Sequence, residues 1–351
     1  MRIANDVIAE LKLNPENVLL GQGTLRPDLI ESASSIASSK AEAIKTHHND
    51  TELVRLLRDQ GRVVEPLKDF HKDEVRILGR DLGLPDELLM RHPFPGPGLA
   101  VRILCADLPY MEKDFSETQV LLKIIVSYSS SLQRKHAMIG TIQSACDENN
   151  LKFLEEFSSK YKFIPTLLPI KSVGVQGDCR SYSYVVGLSE DSDKNETEDE
   201  ITKKFESLAK LAKLIPRICH NINRVCYVFG GLVHNPVQTI THTTLTPIVI
   251  QQLQEADAIA TDALAREGYN KKVSQMPIIL IPIHFDREIV SRHQSSQRSV
   301  VIRTFITEDF MTGVPAIPNK QIPFKVCFIC FFFCVISFFY YHFLMFCFFS
   351  I

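Results

Sequence analysis

Apolar positions in the first hundred residues alternate between a helical period and short continuous runs. The helical period predicts helices at Ile3–Leu11, Asp28–Ser38, Thr51–Gln60 and Lys72–Leu82. Between them, brief apolar runs predict buried strands at Val18–Leu20, Ala43–Ile44 and Val63–Val64. Because strands alternate with helices along the chain, this region is predicted to be an α/β fold with a parallel sheet.

The pattern changes at a cluster of proline and glycine, Arg91–Gly98, which is too rigid for a helix and too interrupted for a central strand. We interpret this cluster as a domain junction or a shaped loop. Beyond it, the pattern predicts an extended segment at Val101–Leu104, mostly helical structure from Lys113 to Leu168, an exposed acidic loop at Ser189–Lys204, a helix at Ile248–Arg266, and strands at Pro277–Ile283 and Arg298–Ile306.

The C-terminal run Val326–Ile351 has no Asp, Glu, Lys or Arg and holds ten of the 22 Phe and four of the nine Cys. Its length fits a membrane span of roughly 20 apolar residues. Phe, Cys, Ile, Tyr, Ser and Val share codons rich in thymine, so we interpret the run as translated non-coding sequence. A membrane anchor and a buried core segment are the alternatives. The CxxC pair Cys327 and Cys330 lacks a second ligand pair, which makes it weak evidence for zinc or redox chemistry.

Composition narrows the class of protein. The chain has 351 residues, 45% of them apolar and 23% charged, which is enough for two core-forming domains. Its 39 Lys and Arg against 41 Asp and Glu give a formal net charge of −2, so a nucleic-acid partner bound through a basic field is excluded. The first residues contain no apolar signal segment, and we therefore expect a cytosolic protein with reduced cysteines.

The segment Gly21–Asp28 (GQGTLRPD) follows a predicted strand directly. It places backbone N–H groups and Arg26 at the carboxyl end of the sheet, where open α/β folds bind ligands. Arg26 could form bidentate bonds to a phosphate or to a purine oxygen. The alternative is a tight turn with a surface Arg26 paired to Asp28 or Glu31.

A polar cluster occupies Lys45–Asp50 (KTHHND). The side chains of His47 and His48 diverge in a strand or in a helix, which is poor geometry for joint zinc ligation. We interpret the cluster as a lid that faces phosphate, with a solvated loop as the alternative.

The remaining candidates lie further along the chain. Asp178, between small residues in Val173–Arg180, could meet a ligand hydroxyl or form an Asx turn. Gln275 precedes an apolar strand and could read a base edge or cap that strand. Cross-strand pairing also accounts for three charged residues in the last strand region, Arg298, Arg303 and Asp309. The sequence contains neither a Ser-His-Asp order nor a zinc framework.

Seven separated segments together carry a family resemblance. They are QGTLRPDLIESA, IKTHHND, EPLKDFHKDEVRILGRDLGLP, RHPFPGPGLAVRIL, VGVQGDCRSYSYV, QMPIILIPIHFDR and QRSVVIRTFITEDFMTG. In this order they resemble the C-terminal part of glutamine-hydrolysing GMP synthases in their long eukaryotic form, over about Met1–Pro323.

The resemblance implies a domain plan. Residues 1–124 would be the C-terminal part of an ATP-pyrophosphatase domain with a parallel sheet, truncated at its N-terminus. Residues 125–325 would be an α+β region of the dimerisation type, with an acidic loop near 189–204, and residues 326–351 the hydrophobic tail.

The resemblance also implies a reaction. In this family of carbon–nitrogen ligases, ATP with Mg²⁺ adenylates the C2 oxygen of xanthosine 5′-monophosphate (XMP), and ammonia from glutamine displaces AMP to give GMP in purine nucleotide biosynthesis. Matching motifs assign Arg26, Asp178 and Gln275 to XMP, and they assign Lys45, His47 and His48 to the ATP lid. A homodimer is possible on the same grounds.

Three family features have no match in the sequence: an amidotransferase domain with a Cys nucleophile, a Ser-Gly-Gly-Val-Asp-Ser phosphate loop, and a C-terminal Lys-Pro-Pro and Trp-Glu segment. Gly230–Gly231 stands in the wrong context for that phosphate loop. The expectation is a fragment of a GMP synthase that is inactive by itself. A non-catalytic interaction protein, with or without a membrane anchor, is the alternative. Other ATP-pyrophosphatases such as NAD or argininosuccinate synthetase are disfavoured, because Arg91–Gly98 and Gln297–Gly313 match GMP synthases.

Overall fold

The structure is a computed structural model, and it describes residues 2–29, 52–89, 98–176, 179–191, 196–269, 272–285, 287, 293–306, 314–324 and 344–350. The chain forms two compact units, Met1–Arg91 and His92–Ile351, which are considered separately below. The division falls at the start of the proline and glycine cluster. The domain boundary predicted at 124/125 concerns the family's domain plan and stays a prediction.

The first unit contains short helices around a two-stranded sheet. Its elements are α1 (Arg2–Glu10), β1 (Leu20–Gly21), α2 (Glu52–Asp59), β2 (Val63–Val64), α3 (Lys72–Asp81) and α4 (Asp86–Leu89). Strand β1 pairs with β2 in parallel, which confirms the parallel α/β pattern predicted here. The strand predicted at Ala43–Ile44 lies outside the described residues, as does most of the helix predicted at Asp28–Ser38, although residues 26–29 are helical.

Local chemistry fixes the ends of α3. The backbone N–H of His71 donates to Oε2 of Glu74 at 2.7 Å, which satisfies a donor just before the first turn. Gly83 follows the helix with φ at 81°, a left-handed conformation that glycine adopts without strain. The boundaries predicted from the sequence therefore agree with the structure at both ends of this helix.

The second unit is a mixed sheet with helices. Its helices are α5 (Phe115–Val126), α6 (Tyr128–Gln133), α7 (Ile139–Ala145), α8 (Glu148–Lys160), α9 (Glu198–Ile218) and α10 (Pro247–Arg266). Its strands are β3 (Ile164–Gln176), β4 (Cys179–Ser189), β5 (Ile222–Val228), β6 (Ile278–Ile281), β7 (Ser299–Ile302) and β8 (Leu344–Ser350).

The six strands lie in the order β3-β4-β5-β8-β7-β6. The pairs β4–β5 and β8–β7 are parallel, and the other three are antiparallel. Alternate residues of β5 belong to two buried apolar clusters: Val225 and Tyr227 to the larger one, Cys226 and Val228 to the smaller. The sheet therefore has an apolar layer on each face.

Two sequence predictions for this unit are wrong in part. Helical structure ends at Lys160 and β3 begins at Ile164, so the predicted helical span to Leu168 is too long. The run Ser189–Lys204 is not an exposed loop throughout, because Ser189 and Lys204 are buried and Glu198 begins α9. The physical reason is a capping box: Thr197 N donates to Glu200 Oε2 at 2.9 Å, and Glu200 N donates to Thr197 Oγ1 at 3.3 Å.

Other predictions for this unit are closer. The helix predicted at Ile248–Arg266 is α10, and the predicted strands at Pro277–Ile283 and Arg298–Ile306 contain the shorter β6 and β7. The predicted extended segment at Val101–Leu104 begins as a turn of 3-10 helix, Ala100–Arg102, and only Ile103 bridges to the sheet, at Leu280.

Of the tail, the structure describes residues 344–350, which form β8 between β5 and β7. Within the described part of the chain, we find no helix with the length and apolar character that crossing a bilayer requires.

Candidate functional site

The predicted site residues divide between the described and undescribed parts of the chain. Arg26, in the first unit, and Gln275, in the second, are described. Asp178 and the predicted lid residues Lys45, His47 and His48 lie outside the described residues. Arg26 and Gln275 are therefore described below, each within its own unit.

Residues 22–26, called the Arg26 turn below, connect β1 to the helical residues 26–29, and this turn is fixed through its backbone. Gln22 N donates to Val64 O at 2.9 Å, Leu25 N to Asp28 Oδ2 at 2.9 Å, and Arg26 N to Phe70 O at 3.1 Å. Two of these three acceptors belong to β2 or to the segment that follows it. The carboxyl end of β1 is thus held against its neighbouring strand.

The side chain of Arg26 has a different environment from its backbone. The residue is exposed, and among the described residues its guanidinium has neither a hydrogen-bond acceptor nor an ion-pair partner. The alternative of a pair with Asp28 is not formed, and Glu31 lies outside the described residues. A guanidinium on a fixed turn is available to a planar anion or a carbonyl oxygen.

A buried carboxylate supports this turn. Glu65 directly follows β2, and its side chain is 6% exposed. Arg58 donates to it twice, from Nε to Oε2 and from Nη2 to Oε1, both at 2.8 Å. Thr24 Oγ1, in the turn itself, donates to Oε1 at 2.6 Å. The bond from Arg58 holds the pKa of Glu65 below its ordinary value, so the carboxylate is ionised at neutral pH.

No sequence pattern indicated that Glu65 and Thr24 support this turn. The signal that could have found Glu65 is its place: it follows the second of two adjacent parallel strands, at the sheet edge where the Arg26 turn also lies.

Gln275 lies between α10 and β6. Its backbone forms an antiparallel bridge to Phe305, with Gln275 N to Phe305 O at 3.0 Å and Phe305 N to Gln275 O at 2.9 Å. The residue is half-buried, and its side-chain amide makes no hydrogen bond with the described residues. A fixed backbone with an amide still able to donate and accept suits recognition of a base edge.

Arg298 has a structural environment. It is buried, with Nε donating to Thr243 Oγ1 at 2.8 Å, Nη1 to Gln252 Oε1 at 3.1 Å and Nη2 to His242 O at 2.9 Å. These bonds tie α10 to the strand region. Of the other two charged residues predicted nearby, Arg303 stacks near the Phe305 ring at 5.9 Å, and Asp309 lies outside the described residues.

Strands β3 and β4 form an antiparallel pair on either side of the undescribed residues 177 and 178. Their last described pair is Gln176 with Cys179. Gly174 pairs with Ser181, and a Cβ at 174 would lie 2.9 Å from Nδ2 of the fully buried Asn223 and 2.9 Å from Ser181 Oγ. Only glycine fits there without a shift of its neighbours. No sequence pattern indicated Asn223.

The described parts of the chain contain no group of three or more His, Cys, Asp or Glu side chains placed to hold a metal ion.

Comparison with known proteins gives a consistent assignment. Residues 154–242 match the family described as GMP synthase C terminal domain. The GMP synthase (glutamine-hydrolysing) of Dictyostelium discoideum is 49% identical over 333 residues, which cover 92% of this chain and 44% of that relative. The probable GMP synthase (glutamine-hydrolysing) of Caenorhabditis elegans is 42% identical over 351 residues, covering 92% of this chain and 46% of the relative.

The chain thus spans less than half the length of these curated relatives. The matched domain covers α8 from Leu154, the β3–β4 hairpin, α9 and β5. The resemblance found in the sequence motifs is confirmed: over 92% of its length, the chain is similar to these two glutamine-hydrolysing GMP synthases.

Proposed function

We propose that this chain supplies the XMP-binding part of a ligase that uses ATP to aminate XMP to GMP. The first unit would be the C-terminal part of an ATP-pyrophosphatase domain, and the second unit an α+β region of the dimerisation type. The observation that carries the proposal is Arg26, an exposed guanidinium without a described partner on a turn whose backbone is fixed.

The chemistry of the reaction explains why XMP must be bound in a fixed orientation. A carbonyl oxygen is a poor leaving group. The C2 oxygen of XMP therefore attacks the α-phosphorus of ATP, and pyrophosphate leaves. Ammonia then adds at C2, and AMP leaves with the former carbonyl oxygen. The base must be held in one orientation through both steps, because the same carbon is activated and then attacked.

The residues have distinct roles in the proposal. The planar fork of Arg26 binds an anionic or carbonyl oxygen of XMP. The Gln275 amide offers a donor and an acceptor to the base, and the Asp178 carboxylate accepts from a ligand hydroxyl. Lys45, with His47 and His48, covers the ATP phosphates.

Mg²⁺ would accompany ATP and offset phosphate charge. The described residues offer no cluster of protein ligands for it.

The proposal also places the protein in the cytosol and allows a homodimer. The described cysteines Cys105, Cys146 and Cys219 form no disulfide among the described residues, in keeping with a reducing compartment.

The test measures XMP binding to the full chain by isothermal titration calorimetry. A charge-assisted hydrogen bond is worth about 1.5–3 kcal/mol, so Arg26→Ala should weaken binding by about 10- to 150-fold. Arg26→Lys should weaken it nearly as much, because an ammonium cannot reproduce the planar fork. Arg80→Ala, which removes an exposed Arg of the same unit, should leave the affinity unchanged.

Turnover tests the reaction itself. A chimaera joins the full chain, residues 1–351, to the N-terminal part of the D. discoideum relative, and GMP formation is followed with XMP, ATP, Mg²⁺ and ammonium. Arg26→Ala should lower kcat/KM for XMP by the factor seen in binding. Unchanged XMP affinity in Arg26→Ala, or a wild-type chain that does not bind XMP, would contradict the proposal.

A further inference from the structure

Thr24 lies two residues before Arg26 and is fully buried. Its Oγ1 donates to Glu65 Oε1 at 2.6 Å, across 41 residues of sequence. A threonine hydroxyl has one proton to donate. Within the described residues, this hydrogen bond connects the Arg26 turn to the end of β2 through side chains.

The acceptor is an ionised carboxylate, which makes the bond stronger than one to a neutral oxygen. Burying a carboxylate is costly unless it is paired. Arg58 compensates Glu65 with the two bonds described above, one to each carboxylate oxygen. The Arg58 fork also sets the plane of the carboxylate, which aims Oε1 at Thr24.

Glu65 with Arg58 carries no net charge as a pair. It can therefore support the turn without repelling an anionic ligand at Arg26. A neutral acceptor would give a weaker bond, and an unpaired carboxylate would oppose anion binding.

We propose that Glu65 is a positioning residue for Arg26, acting through the hydroxyl of Thr24. With the turn fixed before the ligand arrives, binding does not have to order it, and affinity rises accordingly. The expected gain in affinity for XMP rests on the function proposed above. The claim that Glu65 and Thr24 hold the turn in place does not depend on that function.

Hydrogen–deuterium exchange on the full chain tests the fixing of the turn. The amides of Gln22, Leu25 and Arg26 are hydrogen-bonded and report directly on it. Thr24→Val keeps nearly the same shape and removes the donor, and it should speed exchange of these amides by about tenfold or more. Thr24→Ser retains the hydroxyl and should restore slow exchange. Glu65→Gln should resemble Thr24→Val.

XMP affinity of the same variants tests the consequence for binding. Thr24→Val and Glu65→Gln should weaken binding by about tenfold, and Thr24→Ser should bind as the wild type does. The matched control is Asp86→Asn, which breaks the exposed pair with Arg80 in the same unit at 3.3 Å and should change neither measurement.

The outcomes separate the two proposals. If Arg26→Ala loses XMP but Thr24→Val and Glu65→Gln keep both affinity and slow exchange, the positioning role is overturned and the proposed function stands. If the wild-type chain does not bind XMP, the proposed function fails, and exchange alone decides whether Glu65 fixes the turn. If Thr24→Val and Glu65→Gln lower exchange protection equally across the whole first unit, Glu65 has a general structural role, which also overturns the inference.

Discussion

A substitution of Lys204 tests how much a buried ion pair stabilises the second unit. Its side chain is 3% exposed, and Nζ lies 2.5 Å from Glu190 Oε1 and 2.5 Å from Glu196 Oε2. Glu190 is itself 9% exposed and accepts a bond from Tyr227 OH at 2.8 Å. Lys204→Met keeps the aliphatic length of the side chain and removes the charge. Glu190 is then left with the Tyr227 hydroxyl as its partner among the described residues.

Removing one partner of a buried ion pair typically costs about 3–5 kcal/mol, because an uncompensated charge stays buried. We expect Lys204→Met to lower the free energy of unfolding of the second unit by this amount. Lys320→Met is the matched control. It removes a Lys that also lies 2.5 Å from its carboxylate, Glu206 Oε1, but both side chains are exposed, at 51% and 38%. An exposed pair is worth about 0–1 kcal/mol.

Tyrosine fluorescence during urea unfolding isolates this effect. The chain has no Trp, and all nine Tyr follow Arg91, so the signal reports only on the second unit. If Lys204→Met costs no more than Lys320→Met, the buried-charge reasoning is refuted. Adding Glu190→Gln to Lys204→Met should recover much of the loss, since the uncompensated charge is removed.

The pH dependence gives an independent check with a definite sign. Burial raises the pKa of Glu190 above its ordinary value of 4.5, with the bonds from Lys204 and Tyr227 opposing the rise. A raised pKa means that the folded state binds a proton more tightly than the unfolded state. The stability that this proton contributes is therefore present at low pH and is lost as pH rises through the folded pKa. Lys204→Met should accordingly lose least stability below pH 4.5 and most at neutral pH.

Two further predictions concern the sheet and use the same fluorescence assay. Gly174→Ala should destabilise the second unit by about 1–3 kcal/mol, because the added methyl lies 2.9 Å from Asn223 Nδ2, and an unchanged midpoint would contradict the close contact. A chain that ends at residue 343 should unfold at lower urea than the full chain, because β5 and β7 lose their shared neighbour β8, and equal midpoints would show that β8 adds no stability.

In the described part of the first unit, local signals predicted the order of the elements, although β1 is Leu20–Gly21 instead of the buried strand predicted at Val18–Leu20, and Leu19 and Val64 are 54% and 45% exposed. The pairing of β1 with β2, and α3 with Gly83 behind it, follow from short-range periodicity and capping. The same reasoning placed Arg26 at the carboxyl end of a strand. It could not predict the role of Glu65, since Glu65 supports the turn through a contact between residues 41 positions apart.

The second unit was harder to predict from the sequence, because the apolar pattern of one of its strands, β3, resembles that of a helix. Strand β3 begins with apolar residues that continue the helical period of the preceding segment, and it contains Pro165 and Pro169. Prolines are tolerated there because β3 is an edge strand, a fact that only the sheet order shows. The carbonyl groups of these prolines accept bonds from Gln119 Nε2 at 2.8 Å and from Tyr110 N at 2.9 Å. Tertiary contacts of this kind leave no periodic signal.

The apolar composition of the tail can be compared with the position of β8 inside the sheet. A strand with neighbours on both sides of a covered sheet is apolar throughout and carries no alternation. The described residues of the tail satisfy that requirement: β8 pairs with β5 from Arg224–Ser350 to Val228–Met345, and with β7 from Val300–Leu344 to Ile302–Phe346. Seven residues are an ordinary strand length. The uncharged, Phe-rich composition that suggested an anchor or translated non-coding sequence therefore equally suits the strand that joins β3-β4-β5 to β7-β6.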